Sequence, residues 1–302
     1  MLIFYFIGKF EGVMIIIYIL GALVAFFVLI MIIDCHRLVI RNYTYEGKNK
    51  SGNDTRSCKV VMLSDMHGKH FGKDNKRLIS KIDSVNPDYI MIAGDMFTAG
   101  HCVESESKVA LNLITNLAQR YTVYYANGNH ELKTKERADE FGSIYPDYVE
   151  AIKRAGVIFL ENENAFIDKY NIRVFGLSLP FEYYRKHKHV TPKVSGLEEL
   201  LGKAPKESLN IMLAHNPEYF EDYADWGADL VFSGHYHGGL MRLPIIGGVI
   251  SPRYRLFPHY DYGVYNRGTS TMVLSCGLGT HTLPIRIFNP GEISVLNITS
   301  VI

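Results

Sequence analysis

The sequence predicts an α/β domain preceded by a single transmembrane helix, and two patterns support this fold class. From residue 59 onward, short apolar segments typical of buried strands alternate with segments whose apolar residues recur at helical spacing. Before them, residues 13–33 carry no charge and are numerous enough to cross a hydrocarbon core of about 30 Å. We therefore divide the chain into four parts: an N-terminal tail (1–12), a transmembrane helix (13–33), a linker (34–57) and a folded domain (58–302).

Two other interpretations of the apolar run agree less well with its sequence. A buried core helix is rarely apolar on every face over such a length. A cleaved signal peptide would end in small residues, whereas this run ends with Met31, Ile32, Ile33 and Asp34. The run is therefore expected to persist as a single-pass membrane anchor.

Basic residues around the run favour a cytoplasmic position for the folded domain under the positive-inside rule. Lys9 precedes the run, and four basic residues follow it: Arg37, Arg41, Lys48 and Lys50. Long domains can be translocated regardless of such charges, so the side of the membrane stays open. The polar segment 42–57 is expected to be a linker or an edge strand.

Composition narrows the classes of partner. The formal net charge is only +1 and no added DNA-binding module is evident, so nucleic acid is not an expected partner. The four cysteines are scattered without a C-x-x-C pair, and a chain of 302 residues can bury a core without disulfides. Free thiols, and hence a reducing compartment, are expected. The oligomeric state is left open.

Polar residues follow five predicted strands, each at the carboxyl end of the strand. The strands are 59–64, 89–93, 121–126, 211–214 and 230–233. The residues that follow them are Asp65, His67, Asp95, Asn129, His215, His235 and His237. Any one of these could be a turn residue or a helix cap, but ligands in α/β sheets bind just beyond the carboxyl ends of strands. We therefore expect all seven to lie at one sheet edge and to hold metal.

This set of residue types suits the hydrolysis of phosphate esters. Two metal ions about 3.5–4 Å apart clamp phosphoryl oxygens and lower the pKa of a bound water. One carboxylate must bridge the ions, while neutral ligands keep the centre electropositive toward an anionic substrate. Two aspartates, four histidines and one asparagine meet both conditions. Mixed nitrogen and oxygen ligands suit Mn, Fe or Zn and do not choose among them.

Five short motifs occur in a fixed order along the folded domain. They are Asp65-Met66-His67, Gly94-Asp95, Gly128-Asn129-His130-Glu131, His215 and Gly234-His235-Tyr236-His237. Their order and spacing resemble those of the calcineurin-like metallophosphoesterase superfamily, over about residues 59–290. The resemblance implies a four-layer αββα sandwich, in which two sheets face each other with helices outside.

The resemblance also implies a role for each site residue. Asp65, His67 and His237 would hold one metal, and Asn129, His215 and His235 would hold the other. Asp95 would bridge the two ions. His130 would contact the phosphate and act as general acid toward the leaving oxygen.

Within the superfamily the chain looks most like a small bacterial membrane-associated branch related to the UDP-2,3-diacylglucosamine pyrophosphate hydrolases. That branch carries Gly-His-x-His-Gly-Gly, often followed by Gln, where this chain has Leu240. Around the motifs, Arg185 in a basic aromatic segment and Arg253 and Arg255 in a segment rich in Pro, Gly and Tyr are candidate substrate-binding residues. Either segment could instead be a solvated or packing loop.

The sequence therefore predicts a metal-dependent enzyme that hydrolyses a phosphate ester or pyrophosphate bond with a metal-bound hydroxide. A membrane-associated or lipid-linked substrate is the first expectation, because of the anchor, and a nucleotide phosphodiester is the alternative. The non-enzymatic alternative is an inactive membrane scaffold that retains the fold, which loss of a ligand or of His130 would have indicated. Monoester, diester and pyrophosphate substrates are not distinguished.

Overall fold

The computed structural model describes residues 2–47, 55–184, 193–239, 241–243, 247–250, 256–280 and 284–301. Its helices are α1 (Leu2–His36), α2 (Lys76–Val85), α3 (Val103–Ala118), α4 (Asn129–Glu136), α5 (Ala138–Phe141), α6 (Ile144–Arg154), α7 (Leu197–Leu201) and α8 (Phe220–Trp226). The first seven strands are β1 (Leu38–Glu46), β2 (Thr55–Leu63), β3 (Tyr89–Ala93), β4 (Thr122–Ala126), β5 (Ile158–Phe159), β6 (Glu163–Ile167) and β7 (Ile172–Leu177). The others are β8 (Leu209–Ala214), β9 (Leu230–Ser233), β10 (Arg242–Leu243), β11 (Gly247–Gly248), β12 (Gly263–Arg267), β13 (Ser270–Leu274) and β14 (Gly291–Val301).

Two six-stranded sheets form the centre of the domain, and helices cover their outer faces. The first sheet has the strand order β1-β14-β2-β3-β4-β5 and the second has the order β12-β13-β9-β8-β7-β6. Strand β2 shows how one sequence serves two layers. Val60 and Met62 pack between the sheets, while Val61 and Leu63 pack against α2 and α3, because successive side chains point to opposite faces. The α/β sandwich expected from the sequence is thus confirmed.

The polar residues expected at a single sheet edge divide between the two sheets. Strands β2, β3 and β4 belong to the first sheet, and β8 and β9 belong to the second. The expectation of one edge was therefore wrong, because strand patterns do not reveal which sheet a strand joins. Within each sheet the ligand-bearing strands are mutually parallel, so their carboxyl ends lie together. The carboxyl ends of the two sets nevertheless meet.

The interval 34–57, expected as a linker, contains regular structure in its described residues. Helix α1 continues to His36, and strand β1 (Leu38–Glu46) pairs in parallel with β14 at the edge of the first sheet. Residues 48–54 lie outside the described part of the chain. Of the two alternatives for 42–57, a linker or an edge strand, residues 42–46 form part of an edge strand, for which β14 supplies the partner.

Helix α1 is a candidate membrane span. Its segment Gly12–His36 is long and apolar enough to cross a bilayer, and the most apolar part is not buried against the domain. Large apolar side chains such as Ile16, Tyr18 and Val24 are more than half exposed, on several faces of the helix. Such exposure in water would be costly at about 25 cal/mol per Å² of apolar surface, which supports a nonpolar environment for α1.

Candidate metal centre

The seven candidate ligands come together where the two sheets meet. Asp65 and His67 follow β2, Asp95 follows β3, and Asn129 begins α4 after β4. From the second sheet, His215 follows β8, and His235 and His237 follow β9. Five of the seven are buried, and His235 and His237 are half-buried.

Three of these side chains form a first group. The nearest ligand atoms of Asp65, His67 and His237 lie within 4.8 Å of one another. His67 Nε2 is 3.2 Å from His237 Nε2, and His237 Nε2 is 3.5 Å from Asp65 Oδ1. These donors therefore converge on a space that a single cation could occupy.

A second group forms around Asp95. Ligand atoms of Asp95, His215 and His235 also lie within 4.8 Å of one another, and His215 Nε2 is 3.0 Å from Asp95 Oδ2. The same Asp95 Oδ2 is 4.0 Å from His67 Nε2 in the first group. The Asp95 carboxylate thus lies between the two groups, where a bridging ligand would be required.

Asn129 and His130 lie beside the second group. The backbone N–H of His130 donates to Asp95 Oδ1 at 2.8 Å, which places the start of α4 against the carboxylate. Asn129 Oδ1 is buried, and no residue in the described part of the chain donates a hydrogen bond to it. A buried amide oxygen without a donor is costly, so a cation at this point would satisfy it.

Two histidines have their ring protons assigned by their neighbours. His215 Nδ1 lies 2.6 Å from the carbonyl oxygen of Ala93, so this nitrogen carries the donating hydrogen and leaves Nε2 for a metal. His130 Nδ1 instead accepts from the backbone N–H of Ala99 at 2.9 Å. The proton of neutral His130 is therefore on Nε2. The residues present fit a metal centre, with Nε2 of His215 open to an ion and Nε2 of neutral His130 carrying a proton.

The charges in the centre are strongly coupled. Burial raises the pKa of Asp65 to about 6, although the His215 imidazole opposes the shift. Burial would also raise the pKa of Asp95, but His215 and His130 hold it well below its usual range. Burial would lower the pKa of His215, yet Asp95 raises it to about 10. A divalent cation placed among these groups would supply the positive charge that His215 otherwise carries as a proton.

Most of the candidate ligands have left-handed backbone conformations. The φ angle is 51° at Asp65, 48° at His67, 55° at Asp95, 71° at His235 and 52° at His237. Such conformations cost about 1–3 kcal/mol for residues other than glycine and persist only where the surroundings enforce them. Their concentration at these strand ends marks this part of the fold as a functional site.

Glu131 supports the turn that carries Asp95. Its buried carboxylate accepts hydrogen bonds from the backbone N–H groups of Asp95 (2.9 Å), Met96 (2.8 Å) and Gly128 (3.0 Å), and from the Tyr125 hydroxyl (2.7 Å). One side chain thus joins the turns after β3 and β4. The motif in the sequence contains Glu131 but does not indicate this role.

Substituting Glu131→Gln is expected to weaken the centre without touching a ligand. The amide NH₂ group of Gln would face N–H donors that now donate to a carboxylate oxygen. Each buried donor left without an acceptor costs about 1–3 kcal/mol. We expect a loss of roughly 3 kcal/mol in the free energy of unfolding and a fall of about 10–100-fold in metal affinity. Tyr125→Phe, which removes one donor and leaves the backbone contacts, should cost only about 1 kcal/mol. Equal losses in both variants would contradict the role given to Glu131.

Gly277 allows a second segment of the chain to pack closely against the Asp65 turn. It has a φ of +71°, and a Cβ there would lie 2.5 Å from Asp65 Cβ. The fully buried Arg286 guanidinium donates to the carbonyl oxygens of Cys276 (2.9 Å) and Gly277 (3.1 Å), which fixes this segment against the Asp65 turn. No pattern in the sequence indicates this contact, because it joins distant segments.

Gly277→Ala is expected to displace Asp65 and lower metal content. Gly268→Ala is a matched control, because Gly268 also has a positive φ of +56° but nothing lies within 4 Å of its would-be Cβ. The control should show only the conformational cost of about 1 kcal/mol. Denaturation with and without Mn²⁺ checks this. Equal destabilisation of the two variants, with equal metal content, would contradict the close approach to Asp65.

Arg185, Arg253 and Arg255, the candidate substrate-binding residues, lie outside the described residues.

Comparison with known proteins agrees with this geometry. The calcineurin-like phosphoesterase family model matches residues 58–239, and the chain belongs to this family. Its members are metal-dependent, and the His and Asp clusters of this chain are positioned to bind metal. The match begins at β2 and ends just after His237, so it contains all five motifs.

Curated relatives carry related descriptions at low identity. An uncharacterized metallophosphoesterase of Helicobacter pylori is 26% identical over 80% of this chain and 60% of its own length. A transmembrane protein with a metallophosphoesterase domain from Danio rerio is 26% identical over 78% of this chain and 52% of its own length. UDP-2,3-diacylglucosamine pyrophosphatase LpxG of Chlamydia trachomatis is 27% identical over 62% of this chain and 65% of its own length. The chain thus spans about half to two thirds of these relatives.

Proposed function

We propose that the protein is a binuclear phosphohydrolase whose metals are held by the seven residues predicted from the sequence. Asp65, His67 and His237 form one half-site, and Asn129, His215 and His235 form the other. Asp95 joins them. The position of the buried Asp95 carboxylate between two clusters of donors is the observation that carries this proposal.

The chemistry divides between the ions and the protein. Two bound divalent ions, drawn from Mn, Fe or Zn, would neutralise phosphoryl oxygens and lower the pKa of a bound water. The protein orients the reacting groups. Ala99 holds the His130 ring through Nδ1, so the Nε2 proton is available to the leaving oxygen of the substrate. The P–O bond to the leaving oxygen breaks as the water oxygen bonds to phosphorus, so the second product is the phosphate or phosphomonoester that carries the water oxygen.

The substrate is proposed to be a phosphate ester or pyrophosphate at a membrane surface. The candidate membrane span α1 supports this, as does the similarity to a pyrophosphatase named for a diacylated sugar nucleotide. A single-pass anchor with the domain on the cytoplasmic side is part of the proposal, following the positive-inside rule. A nucleotide phosphodiester is the second candidate, and its hydrolysis by the same centre would require no change in the metal ligands.

Purified full-length protein with Mn²⁺ is expected to hydrolyse bis-p-nitrophenyl phosphate, a soluble diester. Chelation should abolish turnover, and adding Mn²⁺ back should restore it. Mn²⁺ should also raise the melting temperature, since a ligand at 100 times its Kd stabilises the folded state by about 2.7 kcal/mol. Turnover that is insensitive to chelation would contradict the proposal. Metal binding without hydrolysis of any phosphate substrate would favour the scaffold alternative.

A further inference from the structure

Strand pairing in the first sheet brings the C-terminal end of α1 close to the metal centre. Leu38 of β1 is opposite Gly291 of β14, and Ser294 of β14 is opposite Met62 of β2. Beyond Met62 the segment 277–279 lies between β14 and β2: Gly279 N–H donates to the carbonyl oxygen of Asp65, and Glu292 N–H donates to that of Gly277. Neighbouring strands are about 4.8 Å apart, so three spacings put Leu38 roughly 15 Å from Asp65. The last turn of α1 adds about 6 Å, which leaves the centre within about 20 Å of the end of the apolar run.

The end of α1 is docked on the domain by three separate segments. Lys69 Nζ donates to the carbonyl oxygen of Cys35 at 2.6 Å, and Arg77 donates to that of His36 at 2.9 Å. These are among the last carbonyl groups of the helix, which have no partner within it. The buried Asp34 carboxylate accepts from the backbone N–H of Asn289 at 2.9 Å. The anchor is therefore joined to the domain without a flexible tether.

Asn289 connects this docking to the metal centre. Its side-chain amide donates to the carbonyl oxygens of His237 (2.6 Å) and Gly239 (2.9 Å). One residue thus contacts both the end of α1 and the backbone of a candidate ligand. The height of the centre above the membrane is fixed by the same contacts that shape it.

An exposed apolar pair, Leu256 and Phe257, contacts the segment 247–250 through Val249 and Ile250. Leu256 is 66% exposed and Phe257 is 59% exposed, the two highest values for large hydrophobic residues outside α1 in the described part of the chain. Phe257 also has a left-handed φ of 49°. A series of contacts connects the pair to α1. The backbone N–H of Phe257 donates to the carbonyl oxygen of Val249, and that of Val249 donates to Met241. Met241 forms a β-bridge with Ile287, and the ring of the next residue, Phe288, packs on Phe27 of α1.

We propose that the end of the domain where the two sets of ligand-bearing strands meet, the catalytic edge, lies against the leaflet from which α1 emerges, with Leu256 and Phe257 in the interfacial layer. The centre then takes the phosphate of an amphiphile in that same leaflet. The substrate class rests on the proposed phosphohydrolase function, whereas the position of the edge does not. The short distance from α1 to the centre, the docking of α1 on the domain and the exposed apolar pair each favour a bilayer over a soluble partner. A domain anchored in this way always lies beside lipid.

Fluorescence quenching by spin-labelled lipid measures this position directly. The full chain, with Cys35→Ser and Cys102→Ser to remove its two accessible thiols, is labelled with bimane at His70→Cys, Leu256→Cys or Thr269→Cys. It is placed in phosphatidylcholine vesicles that carry a headgroup nitroxide. His70 is exposed three residues after His67, and Leu256 belongs to the exposed pair. Thr269 lies in the exposed turn between β12 and β13, at the end of the second sheet away from the ligands. Labels at positions 70 and 256 are expected to be quenched several-fold more than the label at 269.

A flexible insertion separates the roles of the docking and the apolar pair. Twelve Gly and Ser residues between Ile33 and Asp34 leave the docked residues intact and add a tether of roughly 20 Å. In this background Leu256→Ser with Phe257→Ser should reduce quenching at position 70 to the level at 269. The matched pair Phe166→Ser with Leu200→Ser, also exposed apolar residues, should not. Equal quenching at 70, 256 and 269 in the parent chain would overturn the proposal. This is also the result expected if the pair instead covered a second copy of the chain.

Hydrolysis of bis-p-nitrophenyl phosphate in the same vesicles separates this inference from the proposed function. Loss of soluble turnover with strong quenching at positions 70 and 256 would remove the phosphohydrolase assignment and leave the membrane position standing. Soluble turnover with uniform quenching would do the reverse.

Discussion

Replacing Asp95 by Asn is expected to reduce kcat/KM for bis-p-nitrophenyl phosphate by at least about a thousandfold. Asp95 lies between the two donor groups, with its Oδ2 atom 3.0 Å from His215 Nε2 and 4.0 Å from His67 Nε2. An amide offers one good metal-binding oxygen in place of two. Loss of metal from one half-site would remove several kcal/mol of transition-state stabilisation, and each 1.36 kcal/mol corresponds to a tenfold change in rate.

Metal analysis by plasma mass spectrometry distinguishes this loss from misfolding. We expect Asp95→Asn to retain at most one ion per chain while keeping a cooperative unfolding transition. Asp139→Asn, which makes the same change at an exposed position on α5, should retain both ions and full turnover. If Asp95→Asn keeps two ions and most of its activity, the bridging role is wrong and the centre must be joined by another group.

The α/β architecture could be predicted because each strand is indicated by the pattern of apolar residues within its own short segment. Strands β3 and β9 have the bounds expected from their apolar residues, Tyr89–Ala93 and Leu230–Ser233. Membership of a sheet is different, because it depends on which strands pair across long separations in the chain. The division of the candidate ligands between two sheets therefore became visible only in three dimensions.

The candidate ligands could be named from the sequence, but their supports could not. A ligand set has a characteristic order of residue types, whereas Arg286 and Asn289 act through backbone carbonyl groups of Cys276 and His237. Such contacts place no demand on the identity of the residue they touch. Strand β1 could be predicted only as one of two alternatives and over part of its length, since an edge strand needs only one partner and carries little of the apolar core.

Replacing His130 by Ala is expected to retain both metal ions and lose turnover in a way that depends on the leaving group. General acid catalysis contributes about 10²–10⁴-fold, and it matters most when the leaving oxygen is strongly basic. His130 donates from Nε2, because Ala99 occupies Nδ1 as a donor. Hydrolysis of an alkyl phosphodiester should therefore fall by about a thousandfold, while that of bis-p-nitrophenyl phosphate should fall much less.

This dependence separates an acid from a residue that only binds the phosphate. A binding role would lower turnover of both substrates equally and would raise KM for both. His101→Ala is the matched control, since His101 is an exposed histidine in the neighbouring loop and should leave both rates unchanged. Loss of metal in His130→Ala would identify His130 as a ligand, in keeping with its place beside His67 and Asp95 in a third cluster of donors. Retained metal with a leaving-group-dependent loss would instead assign to this chain a proton donor held ready by the backbone of Ala99.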